Sequence, residues 1–288
     1  MTTPHVEPFF HRNTNTIAYI VSDPASRHCM IIDSVLDFDS SAGRTSTVSA
    51  DGLIAHINDA GLTVDWILET HIHADHITAA PYLKNALGGE ICIGSGVIEV
   101  QKTFGGLFNA GPDFATDGSQ FDRLLGDGKN FLMGDLGVTV LHSPGHTPAC
   151  VAYHIGDALF VGDTFFMPDS GTARCDFPGG CSTMLYRSLQ RMLSLPDETR
   201  VFVGHDYGAG GKRDIAWETT IADERDDNIH MAGGASEADY VRQRDERDAT
   251  LSMPRLIMPS VQVNMRAGHF PPADENGVSY LKLPLNAV

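Results

Sequence analysis

Two observations predict a mixed α/β architecture built in layers. Short β-rich runs alternate with segments of helical periodicity. Hydrophobic residues make up 42% of the 288-residue chain and charged ones 20%, enough apolar material for a sizeable core and too much for disorder. No repeat or linker divides the sequence, so 1–288 reads as one domain.

In chain order, the strands read as Ile17–Ser22, Met30–Asp33, Val64–Glu69, Glu90–Gly94, Gly137–His142, Val151–Ile155, Ala158–Val161 and Val201–Val203, with Gly156-Asp157 as a hairpin turn. Helical patterns cover Gly52–Ala60, Asp75–Leu87, Ser182–Leu195, Ile215–Asn228 and Ser236–Leu251. In the third of these, Leu185, Leu189, Met192 and Leu193 form a stripe suited to core packing. Asp37–Asp51 and Phe104–Gly118 read as loops.

The formal net charge of −17, from 37 acidic and 20 basic residues, argues against nucleic acid and anionic membrane partners, which need clustered Lys and Arg. An anionic small substrate stays open, because a few arginines can make a pocket locally positive. The five cysteines contain no Cys-x-x-Cys pair, which speaks against a disulfide framework and fits a reducing compartment. No basic and apolar leader opens the chain and no run nears ~18 apolar residues, so a cytoplasmic address is expected.

The richest local signal is Thr70–His76 (THIHADH), where His71, His73, Asp75 and His76 follow the strand Val64–Glu69. On a continuous helix His71 and His73 would diverge by about 200°, whereas a sharp loop at a strand end can turn them to one point. His146, Asp163 and His205 each follow a strand in the same way, within SPGHT, GDT and GHD. Glycine before each of the three lets the backbone turn tightly beside a metal. A lone His or Asp is usually an ordinary polar residue; this convergence is not, and it marks a metal site on a rigid scaffold. His5, His11, His28, His56, His142, His154, His230 and His269 have no such setting and read as ordinary polar residues.

THIHADH followed by SPGHT, GDT and GHD resembles the metallo-β-lactamase superfamily over most of Phe10–Asp206. The resemblance implies an αββα sandwich, two mixed β-sheets with helices on the outer faces, and a metal cleft along one edge. It also implies that a segment from about residue 210, helical and extended, completes the substrate side. Arg174-Cys175-Asp176-Phe177 is similar to the Arg-Thr-Asp-Phe run of persulfide dioxygenases, with Cys175 departing, and Asn264-Met265-Arg266 resembles that family's C-terminal Asn-Met-Arg.

That family resemblance implies one Fe(II) per chain on His71, His146 and Asp163, with His73, Asp75, His76 and His205 orienting ligands and water or holding a second metal. Zinc or another divalent ion can fill such a site in a recombinant preparation. The implied reaction belongs to sulfur metabolism: glutathione persulfide, or a related low-molecular-weight persulfide, is oxidised with O2 and water to sulfite and thiol. Asp163, His205 and Tyr207 are the expected catalytic residues. Arg174, Arg266 and Tyr207 are the expected substrate donors, since an Arg fork matches a carboxylate. The plainer reading of Arg174 is a structural ion pair with Asp176, and that of Cys175 and Cys181 is small unreactive thiols. A homodimer is implied by the resemblance alone.

Two other readings compete. A dinuclear thioester hydrolase of glyoxalase II type would use every ligand, with two metals generating hydroxide. A non-catalytic metal-binding or sulfur-sensing module would keep the fold without turnover.

Overall fold

The computed structural model describes residues 3–287. β1 (His5–His11), β2 (Thr16–Ser22) and β3 (His28–Ile32) form an antiparallel meander. A hairpin of β4 (Asp37–Asp39) and β5 (Arg44–Ser46) leads into α1 (Val48–Ala60). β6 (Thr63–Glu69), α2 (Ala80–Leu87), β7 (Glu90–Gly94), α3 (Val97–Leu107) and β8 (Arg123–Leu125) follow, their strands joining in parallel to give a first sheet ordered β1-β2-β3-β6-β7-β8.

The second sheet uses β9 (Asn130–Met133), β10 (Leu136–His142), β11 (Val151–Ile155), β12 (Ala158–Phe160), β13 (Arg200–Phe202) and β14 (Glu218–Thr220). Its order is β14-β13-β12-β11-β10-β9, and β12 and β13 are its parallel pair. α4 (Ser182–Leu193) makes that crossover, and the single turn α5 (Gly208–Gly211) precedes β14. α6 (Ile221–Asp226), α7 (Glu237–Asp248) and α8 (Ile257–Asn264) complete the helices.

Alternation along the strands explains the layers. Ile17, Tyr19 and Val21 of β2 join Val140, Tyr153 and Phe160 in the core between the sheets. Ile20, Cys29, Ile31, Ile67 and Ile93 point the other way and bury Leu53 and Ile57 of α1, Leu83 of α2, Val100 of α3 and Val261 of α8. On the far face of the second sheet, α4 lays down Leu185, Leu189 and Met192 and packs against α6 and α7. The expected αββα sandwich with two mixed sheets is therefore the fold. No helix among the described residues is long and apolar enough to cross a membrane.

Several boundaries differ from those expected. Asp37–Asp51 is not a plain loop: it holds the β4–β5 hairpin and the start of α1. α3 runs to Leu107, into the segment read as loop. The pattern Asp75–Leu87 becomes helical only at Ala80, because the preceding backbone is committed to other partners, and Ile215–Asn228 divides into β14 and α6. β1 was hidden by Pro8, which an edge strand tolerates because one side of its ladder is open.

Phe160 packs on Tyr19 and Phe202 at ring separations of 5.3 and 4.9 Å, just before the turn to Asp163. Phe160→Ala should cost about 3–5 kcal/mol through the cavity it leaves. A lowered urea midpoint at constant m-value checks this, and an unchanged midpoint refutes it.

Candidate metal centre

The expected ligands all sit where strands end, at one edge of the sandwich. The loop after β6 carries His71, His73, Asp75 and His76; His146 follows β10, Asp163 follows β12 and His205 follows β13. Backbone bonds stitch the two sheets together here: Ile17 N–H donates to Gly204 O and Val151 N–H to Thr70 O, at 2.8 and 2.9 Å. Gly162 turns the chain into Asp163 with φ of +52°, and a Cβ on it would lie 2.4 Å from Thr70 Oγ1. Glycine is required there by both conformation and space.

Hydrogen bonds at the back of each imidazole select which nitrogen stays bare. Thr70 Oγ1 donates to Asp33 Oδ2 at 2.7 Å and so accepts from His71 Nδ1 at 3.0 Å. His146 Nδ1 donates to Arg174 O at 2.8 Å, and His205 Nδ1 to Asn15 O at 3.2 Å. His76 Nδ1 rests against Thr16 Oγ1 and Asp75 Oδ2, each at 3.3 Å. The Nε2 atoms of all four are thereby left as lone-pair donors. Burial pushes the pKa of His71 down, and that of His76 down to about 4, which keeps those rings neutral.

Three of these bare atoms face Asp163. Its Oδ2 lies 3.8 Å from His71 Nε2 and 3.6 Å from His146 Nε2, and its Oδ1 lies 3.3 Å from His205 Nε2. Ligand atoms bound at ~2.1 Å can stand at most ~4.2 Å apart, so each separation suits a shared ion. His71 Nε2, His73 Nδ1, His76 Nε2 and Asp163 Oδ1 are buried with no hydrogen-bond partner, among the described residues. Buried polar atoms are rarely left so, and a bound cation would satisfy them. His71, His146 and Asp163 form one close group, and His73, Asp75 and His76 form another beside it.

His73 differs from its neighbours. Its Nε2 lies 3.1 Å from both Asp33 Oδ1 and Glu69 Oε2, carboxylates that are themselves buried. Burial presses its pKa down, but Asp33 and Glu69 outweigh burial and hold it well above the ordinary value. Glu69 also accepts from Thr78 Oγ1. Over this cluster lies Asn264, whose Oδ1 accepts from Thr78 N–H at 2.9 Å while its Nδ2 donates to His73 O and His76 O at 2.9 and 2.8 Å. The Asn-Met-Arg run thus acts through its asparagine, as a clamp on the ligand loop.

A cavity of about 460 Å3 opens from Asp75, His146, Asp163 and His205, within the ~300–1,000 Å3 common for small-molecule sites. Tyr207 lines it and stacks on His205 at 6.2 Å; burial, then Asp163 and Asp75, push its pKa up, so its hydroxyl stays a donor. Arg174 lines it too, but is held in a two-pronged ion pair with Asp176 at 2.6 Å, as its structural reading anticipated. Phe177 packs on His146 at 5.3 Å, so the Arg174–Phe177 run holds that ligand from both sides.

Arg266 requires a correction. It lies outside this cavity, stacked on Phe114 at 4.3 Å and donating to Gln262 O, because α8 turns it away from the loop that Asn264 faces. His230 requires the reverse correction: it lines the cavity, its Nδ1 accepting from Thr172 N–H at 3.0 Å. Cys175 is buried with its thiol pushed up, chiefly by burial, which fits an inert side chain. Asp33, Glu69, Asn264 and the α7 arginines were missed, and only Asn264 stood in a motif that could have drawn attention.

Asn264→Ala would strand three backbone groups of the ligand loop, each loss costing about 1–3 kcal/mol if the group stays buried and unpaired. A fall in unfolding free energy together with weaker equilibrium metal binding is expected; unchanged metal affinity would refute the clamp. Glu224 supports the same wall through Asn228, which donates to Glu224 Oε2 and to Gly171 O. Burial raises the Glu224 pKa to about 8. Between the ordinary carboxylate range and pH 8 the folded state therefore binds more protons than the unfolded, so stability falls as pH rises through that window. Glu224→Gln should flatten this slope in urea unfolding between pH 5 and 8.

Comparison with known proteins places these features in a family. The metallo-beta-lactamase superfamily model matches residues 14–205. A probable metallo-hydrolase of Burkholderia pseudomallei is 55% identical over 98% of this chain and 99% of its own length. A protein named glyoxylase B2 from Dictyostelium discoideum is 48% identical over 98% and 97%, and the mitochondrial persulfide dioxygenase ETHE1 of Mus musculus is 28% identical over 90% and 87%. The crystal structure of ETHE1 from Myxococcus xanthus superposes with a TM-score of 0.73 at 28% identity, covering 92% of this chain and all of that one. The strand-end histidines and aspartates, the two-sheet sandwich and these matches agree: the chain belongs to the metallo-β-lactamase superfamily.

Proposed function

We propose that the chain is an Fe(II)-dependent persulfide dioxygenase. Its substrate is glutathione persulfide or a related low-molecular-weight persulfide, and one RSSH, one O2 and one water give RSH, sulfite and two protons. Four electrons pass from the terminal sulfur to O2. The observation that carries this reading is the His71, His146 and Asp163 group, two imidazoles and a carboxylate on one face, with His146 and Asp163 lining the cavity. Iron there would supply a redox-active Lewis acid with open positions for sulfur and O2 together.

The chain's own residues do the rest. Asp33 and Thr70 fix the His71 tautomer, and the Arg174 carbonyl fixes that of His146. Phe166 and Phe177 line the cavity and exclude water beside the reacting sulfur. Tyr207 keeps its proton and is placed to hydrogen-bond an anion near His205. His205, between Asp75 and Asp163, has its pKa raised by those carboxylates against burial, which suits it to hold a proton released in the reaction. Similarity to a protein named persulfide dioxygenase supports the same reading.

A dinuclear thioester hydrolase is the second reading. Asp75, His76 and His205 stand beside the first group, Asp163 Oδ1 faces His205, and relatives named metallo-hydrolase and glyoxylase share more of the sequence.

Anaerobically purified, Fe(II)-loaded protein should consume O2 on addition of glutathione persulfide and release an equal amount of sulfite. Asp163→Asn should abolish iron retention and uptake, whereas Asp75→Asn should keep its iron. No uptake by fully loaded protein that hydrolyses a glutathione thioester would replace this reading with the second.

A further inference from the structure

The cavity above the metal centre is an unfavourable place for an anion. Asp75 and Asp163 stand at its floor and the chain carries a formal charge of −17. Three arginines line it, and two are already neutralised. Arg174 is paired with Asp176 and also donates to Ser252 O. Arg244 is buried, paired with Asp248 at 2.6 Å and donating to Thr172 O at 3.1 Å.

Arg247 is different. Its guanidinium makes no hydrogen bond and no ion pair among the described residues, yet it lines the cavity. Arg244 and Arg247 are three residues apart on α7, so they share a face of that helix, and Arg244 with Asp248 fixes the helix against the cavity wall. His230 stands in the same wall. Its Nδ1 accepts from Thr172 N–H, so the neutral ring carries its proton on Nε2 and has that donor to spare. Burial, then Arg244 and Arg247, push the His230 pKa down to about 4, which agrees with an uncompensated positive charge close by.

We propose that Arg247, with His230 beside it, is the anchor for a substrate carboxylate, so that the cavity selects carboxylate-bearing low-molecular-weight thiols and their persulfides. This deepens the dioxygenase reading and rests on it for the sulfur chemistry alone. The anchor takes over the part that sequence motifs assigned to Arg174 and Arg266. An exposed arginine on a helix is ordinarily a solvated charge, but this one has the metal cavity as its surroundings and is the uncommitted cation among the three.

The test is calorimetric titration of the zinc-loaded full chain, without O2, using glutathione and its diethyl ester, whose carboxylates are blocked. The protein should prefer glutathione. Arg247→Gln should weaken glutathione by ~10–100-fold, the loss of a charge-assisted hydrogen bond, and leave the ester unchanged; Arg247→Lys should recover part of the loss. Equal affinity of wild type for both ligands, or unchanged glutathione affinity in Arg247→Gln, would overturn the anchor. With the iron enzyme, Arg247→Gln should raise KM for glutathione persulfide and leave kcat near its original value. Absence of O2 uptake by wild type would sink the dioxygenase reading while the binding titration still judged the anchor.

Discussion

A buried loop without regular secondary structure must find a partner for each of its backbone polar groups, and the ligand loop of this protein depends on that constraint. Between β6 and α2 the chain is buried at Thr70, His71, His73 and His76 but forms no ladder. Its hydrogen bonds come from elsewhere: Asp33 receives Thr70 N–H, Leu36 N–H reaches Ile77 O, Ser34 O receives Ala79 N–H, and Asn264 serves three groups at once. The stretch after β3 and the end of α8 therefore grip the loop from two sides. The geometry of the expected ligands is thus set in part by residues outside the THIHADH run.

The same arrangement carries an electrostatic cost. Asp33, Glu69, Asp75 and Asp163 lie at or near one site, and buried carboxylates are tolerated only when paired or neutralised. His73 offsets Asp33 and Glu69 from inside the protein. Among the described residues Asp163 Oδ2 has no such partner at hydrogen-bonding distance, and a divalent cation is the natural counter-charge. A cation bound among these groups would couple metal binding to the folding of this edge, because it would offset their charge and satisfy their buried atoms.

How much of this was legible in the sequence follows from distance along the chain. The expected ligands were readable because each lies within a few residues after a β-rich run and glycine immediately precedes three of them, both local signals. The Asn264 clamp spans 186 residues to Thr78, and no local pattern records such a bond. Proximity in a motif misled in the case of Arg266, since neighbours on a helix end face different ways. Arg247 had no motif at all; what distinguishes it is the absence of a partner among the described residues, a property that exists only once Arg174 and Arg244 have found theirs. The β4–β5 hairpin was lost to a Ser- and Asp-rich composition, and β1 to a proline that only an edge position excuses.

Ligand identity alone does not separate one-metal from two-metal chemistry here, since every donor for two ions is present. The distances bear on it differently. Asp75 is engaged by its neighbours: its Oδ2 lies 3.3 Å from His76 Nδ1, 3.3 Å from Thr16 Oγ1 and 3.4 Å from His205 Nε2. Asp163 Oδ2 faces His71 Nε2 and His146 Nε2 at 3.8 and 3.6 Å, too far to hydrogen-bond and close enough to share an ion. Both positions hold unsatisfied atoms, His71 Nε2 at the first and His73 Nδ1 and His76 Nε2 at the second, but at the second Asp75 also rests against Thr16, His76 and His205. The contacts that tie Asp75 to Thr16, His76 and His205 are thus the feature on which the one-metal reading differs from the two-metal one.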